Sequence, residues 1–303
     1  MKSTIPTYVL ITAAKNEEDF IEKTIKSVIN QTILPQKWII VSDGSTDKTN
    51  EIVEKFLSKN KFIQLIKKDG DKARNFGSKA RAVRLAYELI KNLDFEYIGN
   101  LDADVSFDPE YYENILNEFE KDLNLGVSGG IRYDLINGEF RKLKCAPDSV
   151  GGPFQLFRRK CYDDIGGYIP LRFGGIDAVA ETTARMKGWK VKHFPEYKIY
   201  HYRQTGSANN NIIRQRFRAG LRNYSIGYHP IFQILKLLNT IFEPPILIGG
   251  FFISMGYSWG AIKRYEMPLS DEFKVYLRSE QLNKIKSSLG IKQSKIIHTY
   301  KHK

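Results

Sequence analysis

Cysteine is almost absent: Cys145 and Cys161 are the only two among 303 residues. They have no metal-binding spacing and form no disulfide framework, so they read as free structural thiols suited to a reducing cytosol. The opening residues are not expected to be a signal peptide. The opening apolar run TYVLITAA is too short for an h-region and meets the charged KNEEDF, so it reads as a first buried strand. Acidic residues are scarce late in the chain: from Arg203 to Lys303 there are 16 Lys and Arg against 5 Asp and Glu, or +11 of the net +13. Such a basic tail suits nucleic acid, an anionic membrane surface or phosphorylated substrates, but no nucleic-acid signature accompanies it. With 42% hydrophobic and 13% aromatic residues, the chain can bury a substantial core, in one large domain or one and a half.

The first part alternates strand and helix patterns. Strands are expected over 8–13, 38–42, 62–66 and 97–101, with helices over about 17–31, 47–58 and 73–90 between them. This alternation predicts an α/β fold with a mainly parallel central sheet flanked by helices, binding ligands at the carboxyl ends of the strands. Polar sequences stand at those ends: AAKNEE after the first strand, SDGSTD after the second and DAD after the fourth. In SDGSTD the glycine permits a tight turn, and Ser45 or Thr46 can cap the next helix. Ordinary strand-to-helix turns would explain each alone; together they form a nucleotide crevice.

The stretch YIGNLDADVSF sets Asp102 and Asp104 on either side of one alanine. Residues two apart in an extended chain share a side, so both carboxylates can converge on a hard divalent cation such as Mg²⁺ or Mn²⁺. The alternative is a polar turn, with Asp108 and Pro109 opening the following helix. Arg74, Lys79 and Arg81 lead into the 73–90 helix, where positive side chains suit a diphosphate or simply face solvent. From Gly126 onward the pattern turns irregular, with a Gly-Gly-Pro turn at 151–153. Asp177 opens a helix stopped by Gly188, either as a cap or as a general base facing the crevice. His201 stands within the alternating segment YKIYHY, as a structural residue or as an imidazole completing the aspartate site.

Taken in order, AAKNEE, SDGSTD, RNFGSKARA, LDADV, GGIDAVAETTARMKGWKV and HYRQTG resemble a family 2 glycosyltransferase with the GT-A fold, most strongly over 8–228. The resemblance implies a nucleotide sugar, a UDP-sugar first and a GDP-sugar second, with Asp43 and Glu17 near base and ribose and Lys79 near the nucleotide. Asp102 and Asp104 resemble the D-x-D pair that holds the diphosphate through Mn²⁺ or Mg²⁺, and His201 the histidine that completes metal binding. Asp177 takes the place of the base that deprotonates an acceptor hydroxyl for direct inversion. Two positions depart from the family pattern: Ser42 precedes Asp43 where an acidic residue is usual, and Ile176 precedes Asp177 where a glutamate is usual. Glu181, one helical turn on, is the candidate replacement support for Asp177.

The implied organisation is a transferase domain over 1–228, divided into a nucleotide-sugar half (1–125) and an acceptor half (126–228). A basic helical extension over 229–303 follows, with an uncharged apolar segment at 244–262. That segment is near bilayer-spanning length but holds four glycines, two prolines and two serines. Its basic flanks favour interfacial attachment to an anionic membrane over a buried or dimer-forming helix. The expected activity is inverting, metal-dependent sugar transfer to a glycan or lipid-linked acceptor, in surface polysaccharide or glycolipid assembly, at the cytoplasmic face of a membrane. A sugar-phosphate nucleotidyltransferase is the competing enzyme, but the glycine-rich loop it usually carries after the first strand is missing from AAKNEEDF. The other alternative is a non-catalytic, membrane-associated scaffold of the same fold. Oligomeric state stays open.

Overall fold

The computed structural model describes residues 6–69, 77–203, 212–240 and 248–291. The chain forms two compact units, one of residues 1–170 with 176–204 and one of 171–175 with 205–303. The division therefore falls at Gln204, and the helix at 212–226, expected in the first domain, groups with the C-terminal unit.

The first unit begins β1 (Tyr8–Ala14), α1 (Ile21–Ile29), β2 (Lys37–Asp43), α2 (Thr49–Leu57), β3 (Ile63–Lys68), α3 (Gly77–Ile90) and β4 (Tyr97–Leu101). It continues β5 (Val105–Phe107), α4 (Tyr111–Lys121), β6 (Leu125–Ile136), β7 (Glu139–Lys142), β8 (Phe154–Arg158), α5 (Arg159–Asp164), α6 (Ile176–Met186) and β9 (Lys190–His201). One mixed sheet runs β3-β2-β1-β4-β8-β6-β9-β5, with β7 paired to β6. The strands from β3 to β4 are parallel, β8 lies antiparallel between β4 and β6, and β6 pairs parallel with β9. β1, β2 and β4 are buried almost throughout, as parallel strands covered on both faces must be. β1 lies between β2 and β4, so the connections leaving it and those leaving its neighbours open a crevice at the carboxyl ends.

The crevice wall is laced by side chains. Asn16, at φ 55°, accepts at Oδ1 from Thr46 N at 2.8 Å, and its own N–H donates to Ser45 Oγ at 3.2 Å. Glu17 N donates to Thr49 Oγ1 at 2.7 Å, and Glu18 and Asp47 exchange bonds with each other's loops at 3.0 Å. Ser45 and Thr46 therefore tie the loops together instead of capping α2. Lys48 holds that position without a side-chain cap, and Asp47 Oδ1 accepts from Thr49 N at 3.0 Å. Gly44, at φ 68°, makes the tight turn after Asp43.

The second unit contains α7 (Ile212–Ile226), α8 (Pro230–Thr240), α9 (Ile248–Ile262) and α10 (Asp271–Ser288). α7 and α9 touch backbone to backbone: a Cβ on Gly220 would strike the Ile253 carbonyl oxygen, and one on Gly256 that of Phe217. The opposite face of α9 exposes Phe251, Met255, Trp259 and Ile262. Among the described residues no helix is long and apolar enough to cross a membrane. Residues 244–247 of the apolar segment lie outside the described residues.

Candidate active site

Asp102 and Asp104 lie in the turn linking β4 to β5, both pinned by backbone hydrogen bonds. Asp102 N donates to Pro153 O at 2.8 Å, and Asp104 O accepts from Tyr202 N at 2.9 Å. Their side chains take different partners. Asp102 Oδ1 accepts from the Lys79 ammonium on α3. Asp104 Oδ1 stands 3.5 Å from His201 Nε2, and its Oδ2 3.8 Å from Arg203 Nε. The picture of two carboxylates converging along one extended strand gives way to a turn whose first aspartate is engaged by lysine.

His201 is fixed by the sheet, since β9 sets it beside Val105 of β5 and Asp134 of β6. Its Nδ1 lies 3.0 Å from Asp134 Oδ1, which also pairs with Arg132 Nε at 3.0 Å. Burial works against the imidazolium, but the Asp104 and Asp134 carboxylates on either side outweigh it and lift the pKa to about 9. Glu17 accepts from Arg203 at 2.7 Å. Burial, with repulsion from Asp104 only partly offset by Arg203, pushes the Glu17 carboxyl up to about 8. Asp43, at the end of β2, pairs with Lys68 at 3.1 Å. Ser42 turns to Ser45, its Oγ donating at 2.9 Å.

Asp177 stands half-buried in the first turn of α6, packed on the backbone of Gly152. Burial opposes the Lys79 charge, but Asp102 first, then Asp177 and Asp104, more than restore it and leave its pKa raised. Of these carboxylates, Asp102 is the one that pairs directly with Lys79. Arg74 lies outside the described residues.

The model of the family described as "Glycosyl transferase family 2" matches residues 9–180, more than half of the chain. The chain belongs to glycosyl transferase family 2. A curated relative, the poly-beta-1,6-N-acetyl-D-glucosamine synthase of Staphylococcus aureus (strain MSSA476), is 27% identical over 202 residues, covering 60% of this chain and 47% of the relative. The chain spans about half the length of the curated relatives it matches. Among solved structures, the mannosyltransferase PcManGT of Pyrobaculum calidifontis with GDP-Man and Mn²⁺ superposes at a TM-score of 0.55 and 14% identity, covering 95% of this chain and 87% of that one. The S. aureus TarS 1-349 complex with UDP-GlcNAc gives 0.52 and 15%, covering 92% and 80%. The fold is the GT-A fold of these transferases.

In this family 2 chain, a metal is tested by the donor set. Among the described residues no group of three or more His, Cys, Asp and Glu is arranged to hold an ion. Asp104 Oδ1, however, is buried with no hydrogen-bond partner, beside an imidazole nitrogen. A carboxylate oxygen and an imidazole fit Mg²⁺ or Mn²⁺ when substrate phosphates and waters supply the remaining ligands. Coordination through Nε2 requires that nitrogen free of its proton, so protonation of His201 and metal binding there would compete.

Glu181 does not support Asp177 directly. Its carboxylate is 4% exposed and accepts from Ser149 Oγ at 2.9 Å, Val150 N at 2.7 Å and Gln155 Nε2 at 2.8 Å. Arg203 and Gly152 join the site without standing out in the sequence. Arg203 stands in the HYRQTG motif, where two carboxylates await a cation; Gly152 stands in the Gly-Gly-Pro turn, read only as a turn.

Proposed function

We propose that this protein transfers a sugar from a nucleoside diphosphate sugar to an acceptor hydroxyl with inversion, in surface polysaccharide or glycolipid assembly. The observation that carries the reading is the 152–153 turn, whose Gly152 lies against Asp177 while its Pro153 carbonyl accepts the N–H of Asp102, the partner of Lys79; it joins a candidate base to candidate diphosphate-binding groups. The UDP-GlcNAc held by TarS and the GDP-Man held by PcManGT support a nucleotide sugar, a UDP-sugar before a GDP-sugar. The S. aureus poly-N-acetylglucosamine synthase supports a growing glycan, free or lipid-linked, as acceptor.

In this reading Glu17 and Asp43 border the base and ribose, and Lys79 meets the diphosphate as it exchanges Asp102 for phosphate oxygens. Asp104, His201 and Asp102 would hold Mg²⁺ or Mn²⁺, which when bound neutralises charge on the departing nucleoside diphosphate. Asp177 accepts the proton of the acceptor hydroxyl. The new bond forms between the acceptor oxygen and the anomeric carbon while the bond from that carbon to the phosphate oxygen breaks, and the nucleoside diphosphate leaves with the electron pair. One base suffices for inversion, and no covalent nucleophile is required.

The exposed apolar face of α9, followed by Lys263 and Arg264, supports peripheral attachment to the cytoplasmic face of an anionic membrane, where a lipid-linked acceptor would lie. The test of the chemistry is Asp177→Asn. Donor affinity should stay at the wild-type value while transfer falls roughly 10²–10⁴-fold, as removal of a general base does. Transfer at the wild-type rate would remove Asp177 from the role.

A further inference from the structure

The candidate mechanism makes no use of Glu181, although it is a carboxylate enclosed in the first unit. It lies four residues beyond Asp177 on α6, which sets the two on one side of the helix. Among the described residues its hydrogen bonds go to the segment that leads into β8 and to the start of β8 itself. Oε1 accepts from Val150 N and Gln155 Nε2, and Oε2 from Ser149 Oγ. Gln155 is fixed in turn: Tyr168 Oη donates to its Oε1, and it stands opposite Asn100 of β4. The segment held in this way touches both sides of the candidate chemistry. Gly152 lies against Asp177, its carbonyl oxygen accepts from Asn100 Nδ2 at 3.1 Å, and Pro153 O accepts the Asp102 N–H at 2.8 Å.

We infer that Glu181 is a positioning residue that clamps the 149–155 segment to α6 and thereby sets the distance between Asp177 and the Asp102 turn. The inference rests on Asp177 acting as the base. It gives the missing glutamate before Asp177 a different kind of replacement: the carboxylate braces the loop on which the base rests.

The two ways of changing Glu181 have opposite consequences. Alanine removes every acceptor: the Val150 N–H loses its partner, the Gln155 amide keeps only the Val150 carbonyl at 3.3 Å, and α6 keeps the bond from Arg185 Nη1 to Asp148 O at 2.8 Å, which lies outside 149–155, so the segment shifts. Glutamine keeps an oxygen for Val150 and Gln155, and its NH₂ can donate to Ser149 Oγ, since a hydroxyl serves in either role. The clamp therefore survives glutamine and fails with alanine. A displacement of about 1 Å at a reacting group lowers turnover roughly 100-fold.

The experiment compares wild type, Glu181→Ala, Glu181→Gln, Ser149→Ala and Asp177→Asn for kcat, donor KM and nucleotide affinity, normalised to folded protein by circular dichroism. Expected are a kcat for Glu181→Ala lower by about 10- to 100-fold with donor KM and nucleotide affinity unchanged, and recovery to within about threefold in Glu181→Gln. Ser149→Ala, which loses one bond and opens little space, should fall between and guards against misfolding of the alanine variant. Equal losses in Glu181→Gln and Glu181→Ala would overturn the clamp in favour of a direct chemical role. A wild-type kcat in folded Glu181→Ala, or in Ser149→Ala should Glu181→Ala not fold, would also overturn it. Should Asp177→Asn transfer normally, the underlying reading fails first and separately.

Discussion

Gly152→Ala isolates the packing of Asp177. A Cβ built on Gly152 would lie 2.5 Å from Asp177 Oδ2 and 3.0 Å from its Cβ and Cγ. Ordinary contact begins near 3.5 Å, so the carboxylate must retreat by roughly 1 Å or change rotamer. Because Asp177 Cβ is crowded as well as the oxygen, a turn of the carboxyl alone does not relieve the clash. The φ of Gly152 lies outside the left-handed region, so alanine introduces no backbone strain and the perturbation stays local. A misplacement of this size at a reacting group lowers kcat by about 100-fold, equivalent to about 2.7 kcal/mol of transition-state stabilisation. The assay is steady-state transfer with a competent donor, alongside nucleotide binding by calorimetry and a thermal melt. Expected are a large fall in kcat, nucleotide affinity within about twofold and a melting temperature within about 2 °C. An alanine variant with wild-type kcat would refute the argument that Asp177 works from its seat on Gly152.

Two further outcomes follow from the structure. Burial lifts the Glu181 carboxyl from 4.5 to about 7 despite its hydrogen bonds, so the folded protein holds that proton more tightly than the unfolded chain does. The associated stability is present below about 4.5, is lost as pH rises through about 7, and amounts to about 3 kcal/mol for a shift of this size. Glu17 and His201, also raised, lose stability over the same range in both proteins, so denaturant melts from pH 5 to pH 8 should fall more steeply in the wild type than in Glu181→Gln; parallel curves would contradict it. Separately, exposed Phe251 and Trp259 on α9 should seat the protein on vesicles containing phosphatidylglycerol, and their joint change to serine should reduce co-sedimentation at least tenfold. Equal sedimentation of both proteins would remove α9 as the attachment face.

The first four parallel strands were legible because each is a short apolar run ending in a polar turn, and burial on both faces leaves that mark on local sequence. The antiparallel insertion of β8 between β4 and β6 was not, since Phe154–Arg158 pairs with Tyr97–Leu101 across a distance that no local periodicity encodes. The site divided in the same way. Asp102, Asp104, Asp177 and His201 stood out by residue type and order. That Lys79 engages Asp102 depends on α3 packing on β1 and β2, and that Glu181 reaches 149–155 depends on α6 packing on β9 and β6. Ser45 and Thr46 carry capping chemistry in sequence, yet the neighbouring loop at Asn16 competes for them and wins.

The most direct test supplies the purified protein with Mn²⁺, a glycan acceptor and a panel of UDP-, GDP-, dTDP- and CDP-sugars, and identifies the phosphate product. The account predicts release of a nucleoside diphosphate from one donor class, abolished by chelation of the metal. Release of pyrophosphate, or no turnover of any nucleotide sugar, would contradict it.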